Sequence, residues 1–389
     1  MKHIRIHIGW LWIGIILLML TACSSSGDDM EGQQPPVAPG QQPTMLTIYV
    51  YSPDKPIMTR ADVGPVSASE VENVVTNLQL WIFDTSGNKV GYLNTTETAT
   101  LNSGNGAIYQ IPVSDDFAEN KPNVDVYVMA NVTANNCGIT TTLDENTSRE
   151  VLLAQAKITI EHYGLTTTGL TTEVPDDGLP MAGVLKNQPV VGDAPVLRIG
   201  TTDNIARVPL TRAVSKLRFF FANTDGAPQL NITGITLSAG TIPDMEYLFP
   251  QNQALTYNTA ATSILTSTIE AVEVPASPHK PADYIYNGQT AQEYEELMTG
   301  ALLSDELSGA GPYYLRESDK RVEGTITYTV EGITDTQSAT FKMAEMGDFL
   351  RNHSWIVYAY YEGLSGLQVK VVDVTPWTDK EEDHEVYNW

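Results

Sequence analysis

Residues 74–84 read Val-Val-Thr-Asn-Leu-Gln-Leu-Trp-Ile-Phe-Asp, and Val74, Leu78, Leu80 and Ile82 share one face if successive side chains alternate. That period of two marks a half-buried strand. Thr85-Ser86-Gly87-Asn88 then supplies turn chemistry and residues 90–93 resume the apolar run, so a β-hairpin is expected here. The pattern recurs in both directions. Upstream, residues 45–52 place Leu46, Ile48 and Val50 on one face, ahead of a polar break containing Pro53, Pro56, Gly64 and Pro65. Downstream, strands are expected over 107–113, 124–132, 216–222, 230–238, 264–274, 322–330, 339–343, 355–362 and 367–374. One helix is expected, where Thr147 or Ser148 can cap a run holding Val151, Leu152, Ala154, Gln155 and Ile158.

Single strands separated by turns, with a rare helix, predict a mainly β chain built of antiparallel sandwiches rather than alternating strand–helix units. The 389 residues are 42% hydrophobic and only 18% charged, which argues against wholesale disorder and against long coiled coils. A Gly- and Pro-rich stretch over 178–200 sets an expected boundary near Asp203. Two sandwiches over 44–203 and 204–389 are each long enough to enclose a core.

The first 22 residues read as an export signal. Lys2 and Arg5 precede an apolar run at 13–20 that is too short for a confident span, and Leu20-Thr21-Ala22-Cys23 closes it. This order is similar to the lipobox of bacterial lipoproteins, in which the Cys sulfur takes a diacylglycerol and cleavage leaves Cys23 first. Residues 23–43, rich in Gly, Gln and Pro, then form an expected flexible tether. Asp28, Asp29 and Glu31 soon after the cysteine resemble a surface-export signal of lipoproteins in anaerobic Gram-negative gut bacteria. With Cys23 lipidated, Cys137 is the one cysteine left, and no intramolecular disulfide is expected.

The formal charge of −25 repels a phosphate backbone, so no nucleic-acid partner is expected. Catalytic patterns are thin. The six histidines make no HExxH or His-x-His pair, and neither GxSxG nor GxxxxGK[ST] occurs. Asp115-Asp116 reads as a turn after a strand, and Glu381, Glu382, Asp383, His384 and Glu385 as a solvated run, so no enzyme activity, metal site or cofactor is expected. Trp81, Trp355, Trp377 and Trp389 offer stacking platforms for a monomeric surface lipoprotein that binds glycan or a host protein; Trp81 and Trp355 lie inside strand patterns and are expected in the core.

Several segments together resemble the FimA-type fimbrillins, subunits of the type V pili of anaerobic Gram-negative bacteria. They are residues 46–50 followed by Thr59-Arg60-Ala61-Asp62; 74–84 with the following Gly-Asn; 124–132; Leu179-Pro180-Met181-Ala182-Gly183; 208–219; and 350–358. The resemblance runs over most of the chain after the signal. It implies two transthyretin-like sandwiches, a lipoprotein precursor exposed on the outer membrane, and other fimbrial subunits as partners in adhesion. It further implies that an Arg-specific protease cuts between Arg60 and Ala61. On the same resemblance, loss of the first strand, with Leu46, Ile48 and Val50, is expected to open a groove into which a C-terminal strand of another subunit inserts.

Two segments are candidate donors: Leu367, Val369 and Val371 in an alternating run, or Val386, Tyr387 and Trp389 at the chain end beyond Pro376. The resemblance fits a stalk subunit first, with a tip or anchor subunit as alternatives.

Overall fold

A computed structural model describes residues 43–374 apart from 53–71, 103–105, 160–173, 267–271, 277–279, 344–348 and the single positions 250, 252, 275, 288 and 290. The signal, Cys23, the tether, Arg60, Ala61, Val386, Tyr387 and Trp389 therefore lie outside the described residues. Along the first part of the chain run β1 (Met45–Tyr51), β2 (Leu78–Asp84), β3 (Lys89–Thr95), β4 (Gly106–Pro112), β5 (Val124–Ala130), β6 (Lys157–Ile158), β7 (Met181–Gln188), β8 (Val190–Asp193), β9 (Val196–Ile199), β10 (Arg207–Pro209) and β11 (Thr211–Arg212). The remainder holds β12 (Val214–Asn223), β13 (Leu230–Leu237), β14 (Glu246–Tyr247), β15 (Thr262–Thr266), β16 (Val272–Val274), β17 (Ser308–Arg316), β18 (Glu323–Val330), β19 (Gln337–Lys342), β20 (Ser354–Tyr361) and β21 (Leu367–Val374). Helices are α1 (Ala99–Asn102), α2 (Asp115–Asn120), α3 (Ala134–Cys137), α4 (Arg149–Gln155) and α5 (Ala291–Leu303).

The chain is mainly β, as its alternation predicts. One sheet orders β10-β1-β9-β8 with β4 on the other side of β1, and it faces a second sheet ordered β11-β7-β5-β2-β3. Their inward side chains make one core: Leu46, Ile48 and Val50 from β1 and Ile111, Leu197 and Val208 from its neighbours meet Leu78, Leu80, Ile82, Val126 and Val128. A second sandwich repeats the scheme, with β17-β12-β20-β21 facing β15-β13-β18-β19. The chain passes from the first sandwich to the second between Arg212 and Val214: β10 pairs with β1 and β11 with β7, whereas β12 pairs with β17 and β20. The expected boundary at Asp203 falls ahead of both strands.

Three strands depart from simple alternation. β5 and β20 are buried at every position and β12 at nearly every one. Their second faces are covered: Tyr127 and Met129 by Leu143, Leu152 and Phe249, and Phe220, Tyr358 and Tyr360 by Tyr284, Tyr294 and Met298 of the α5 region. A strand covered on both sides needs apolar residues on both, which is why 355–361 reads as an unbroken aromatic and aliphatic run.

The expected helix is α4, whose Ser148 Oγ accepts from the Val151 N–H at 3.3 Å; Ile158 lies beyond it in β6. Helix α5, the longest described, lies where no helix is expected from the sequence, though Tyr294, Met298 and Ala301 carry the spacing that packs it on the sheet. The single strand expected over 264–274 is two, β15 and β16, which pair with successive parts of β13.

Candidate assembly site around the first strand

β1 is the hub of its sheet. All seven of its residues pair antiparallel with β4, from Met45 opposite Pro112 to Tyr51 opposite Gly106. Its other edge runs parallel to two short strands laid end to end, with Met45 to Thr47 against β9 and Tyr49 to Tyr51 against β10. Further bonds hold its ends: the Met45 N–H donates to Pro195 O at 2.8 Å, and the Leu210 N–H donates to Tyr51 O at 2.8 Å. Leu46, Ile48 and Val50 are each 0% exposed. Burying three such side chains is worth about 1.5–3 kcal/mol each.

The outward face is aromatic. Tyr49 and Tyr51 stack with ring centroids 6.1 Å apart, and the Arg207 guanidinium carbon lies 4.9 Å and 4.8 Å from the two centroids. Cation–π contacts at exposed sites contribute roughly 0.5–1 kcal/mol. Tyr49 lies over Gly106, where a Cβ would sit 2.0 Å from the ring, so no larger residue fits without moving the tyrosine.

The described chain resumes at Glu72, which is buried between the sandwiches. Its carboxylate accepts from Lys216 Nζ at 2.7 Å and from the Tyr314 hydroxyl at 2.7 Å. Its carbonyl accepts from Arg212 Nε at 3.3 Å, while Arg212 also donates to the Asn73 and Asn352 side-chain oxygens. Burial alone raises a carboxyl pKa, but Lys216 and Arg212 outweigh it and hold Glu72 below the usual carboxylate range. Chain upstream of 53–71 is thus held by a ladder and apolar burial, and chain downstream by a buried ion pair.

A second buried acid behaves oppositely. Arg351 Nη2 lies 2.8 Å from Glu246, but the same guanidinium is shared with Glu317, whose Oε2 accepts from Nε at 2.9 Å. Burial dominates, and with Glu317 adjacent it pushes the Glu246 carboxyl up to about 8. The folded chain then holds a proton that the unfolded chain releases above about pH 4.5. This contribution is full below that pH and is lost as pH rises through 8. Unfolding free energy from urea titrations is expected to fall between pH 5 and 8 by up to about 1.4 kcal/mol per pH unit, and Glu246→Gln is expected to flatten that slope. An unchanged slope in Glu246→Gln places the proton elsewhere.

Other residues singled out in the sequence fall as follows. Asp115 and Asp116 open α2 behind the cap Ser114, where carboxylates suit the positive end of the helix; they are not in the expected turn. Cys137 is buried, and its thiol is pushed up to about 12. Trp81 and Trp355 are core residues, which removes both as stacking platforms. Leu367, Val369 and Val371 of β21 pack on the second core from the edge of its sheet, where β20 is the neighbour. Among the described residues no acidic, His or Cys cluster is placed to hold a metal ion, and no helix is long and apolar enough to cross a membrane.

No known family model and no curated protein matches the chain. Among solved structures it is similar to a Parabacteroides distasonis protein provisionally assigned to cell adhesion, with a TM-score of 0.47 and 14% identity over 88% of this chain and 99% of that one. It is also similar to the C-terminally truncated tip fimbrial protein Mfa3 of Porphyromonas gingivalis (0.46; 13% identity; 85% and 99% covered) and to the fimbrial anchor protein Mfa2 of the same organism (0.39; 10%; 85% and 97%). Likeness this distant carries no argument about function, which has to rest on the chain's own residues.

Proposed function

We propose that the chain is a structural subunit of a cell-surface fimbria, made as a lipoprotein, cut between Arg60 and Ala61 by an Arg-specific protease, and polymerised by a C-terminal strand that takes the place of β1. The observation that supports this best is the position of β1: a central strand with three fully buried side chains, joined to the rest through the segment that holds Arg60. Removing a central strand strips ladder partners from both neighbours and exposes a line of core. A strand supplied by another subunit regains hydrogen bonds and burial together. Because donor and acceptor lie on different parts of the chain, the contact is head-to-tail and propagates into a filament.

The deciding experiment is the N-terminal sequence of the protein from the cell surface, with an unboiled detergent gel of the same sample. Ala61 at the terminus and a ladder of bands are expected. A terminus at residue 23 with a single band makes the protein a monomeric surface lipoprotein instead.

Anchoring carries its own test. A buried acyl chain supplies about 0.8 kcal/mol per methylene, so several chains on Cys23 hold an acidic, otherwise soluble body at a membrane. Cys23→Ala is expected to lose incorporated fatty acid and to leave the membrane fraction. Retention of both in that variant rules Cys23 out as the anchor.

A further inference from the structure

The pairing of β1 implies more than a removable strand. Among the described strands, β4 has no ladder partner except β1, and the same holds for β10; only β9 keeps a second neighbour, in β8. Withdrawal of β1 therefore does not leave a groove with two intact walls. Among the described residues, β4 loses its whole ladder over seven residues, and half of the other wall loses its three-residue ladder. Ile111 and Val208, each 0% exposed, lose their β1 partners Leu46 and Val50 in the same event. Unpaired backbone groups beside uncovered core are costly to leave in place, so the emptied sheet is a high-energy state.

We infer that cutting at Arg60 does not empty the slot: β1 stays seated after the cut and is displaced only by a strand that enters while it leaves. The inference rests on the proposed removal of β1 and adds its order of events. The geometry allows such replacement in stages. On the β9/β10 side β1 is held by two separate ladders, with Ile48 between them, so an incoming strand can take the β10 block while the β9 block still holds. At no stage do both walls stand unpaired. Polymerisation is then second order, and a cut subunit remains folded and closed until a partner arrives.

The test uses the full chain, cut once at Arg60 with trypsin, and an isotope-labelled synthetic peptide of residues 43–52 as the incoming strand. This probe carries β1's own sequence, so the result does not depend on which segment is the natural donor. Native mass spectrometry follows loss of the original N-terminal fragment from the body. The fragment is expected to co-elute with the body after dilution and gel filtration. Its exchange rate is expected to rise about tenfold for a tenfold rise in peptide. A rate independent of peptide concentration, or loss on dilution that leaves a folded monomer, overturns the inference, as does a fragment that no concentration of peptide replaces. Exchange that depends on the peptide in a cut chain that never takes a strand from a second copy upholds the inference and refutes the fimbrial reading.

Discussion

Arg60→Ala is expected to abolish filament growth while leaving a folded monomer. Between β1 and Glu72, Arg60 is the open target for an Arg- or Lys-directed protease, since Lys55 is followed by Pro56, whose ring disfavours cleavage. With the bond intact, β1 is tied to its own slot, and an intramolecular strand has an effective concentration that a free donor does not match. Nothing in the folded cores changes, so the urea midpoint of the variant is expected to match the parent's. Unboiled gels are expected to lose the ladder and electron micrographs to lose filaments. Filaments of ordinary length from Arg60→Ala would refute strand removal at this loop. Cleavage that persists at another bond moves the site without touching the rest of the mechanism.

How much of this was legible in the sequence depends on how local each feature is. The alternation of Leu46, Ile48 and Val50 marks a strand with one buried face, and the structure places all three in the core. The same alternation would suit an edge strand. That β1 pairs with β4 on one side and with β9 and β10 on the other is a matter of register between segments about 55 to 160 residues apart, which no local pattern encodes. Glu72 shows the same limit. It sits in a polar stretch and looks solvated, and only the fold brings Lys216, Arg212 and Tyr314 around it. Helix α5 is a different case, since its Tyr294 and Met298 spacing was present but lies in a segment where turn residues crowd both flanks.

A chain truncated after Thr375 is expected to fold and, once cut at Arg60, still to polymerise. The reason lies in a comparison of β21 with β1. The inward residues of β1 are Leu46, Ile48 and Val50, and β21 carries Leu367, Val369 and Val371 at the same spacing, with Val in place of the central Ile. Slots lined for Leu, Ile and Val accept these volumes, whereas Tyr387 and Trp389 would overfill them, and overpacking costs about 1–3 kcal/mol. β21 also has more to gain by moving. In its own sheet it has one ladder, to β20, and Leu367 keeps 7% exposure with Val369 and Val371 only partly buried. In the β1 slot it would have ladders on both edges and three positions that are fully buried. The gain is offset by exposing the edge of β20, so β21 is expected to leave only when a slot is offered. Removal of residues 376–389 takes away Pro376, the acidic run and the terminal aromatics without altering β21. A truncated chain that folds, is cut at Arg60 and remains monomeric would transfer the donor role to Val386, Tyr387 and Trp389. One that fails to fold would assign those aromatics to the protein's own core.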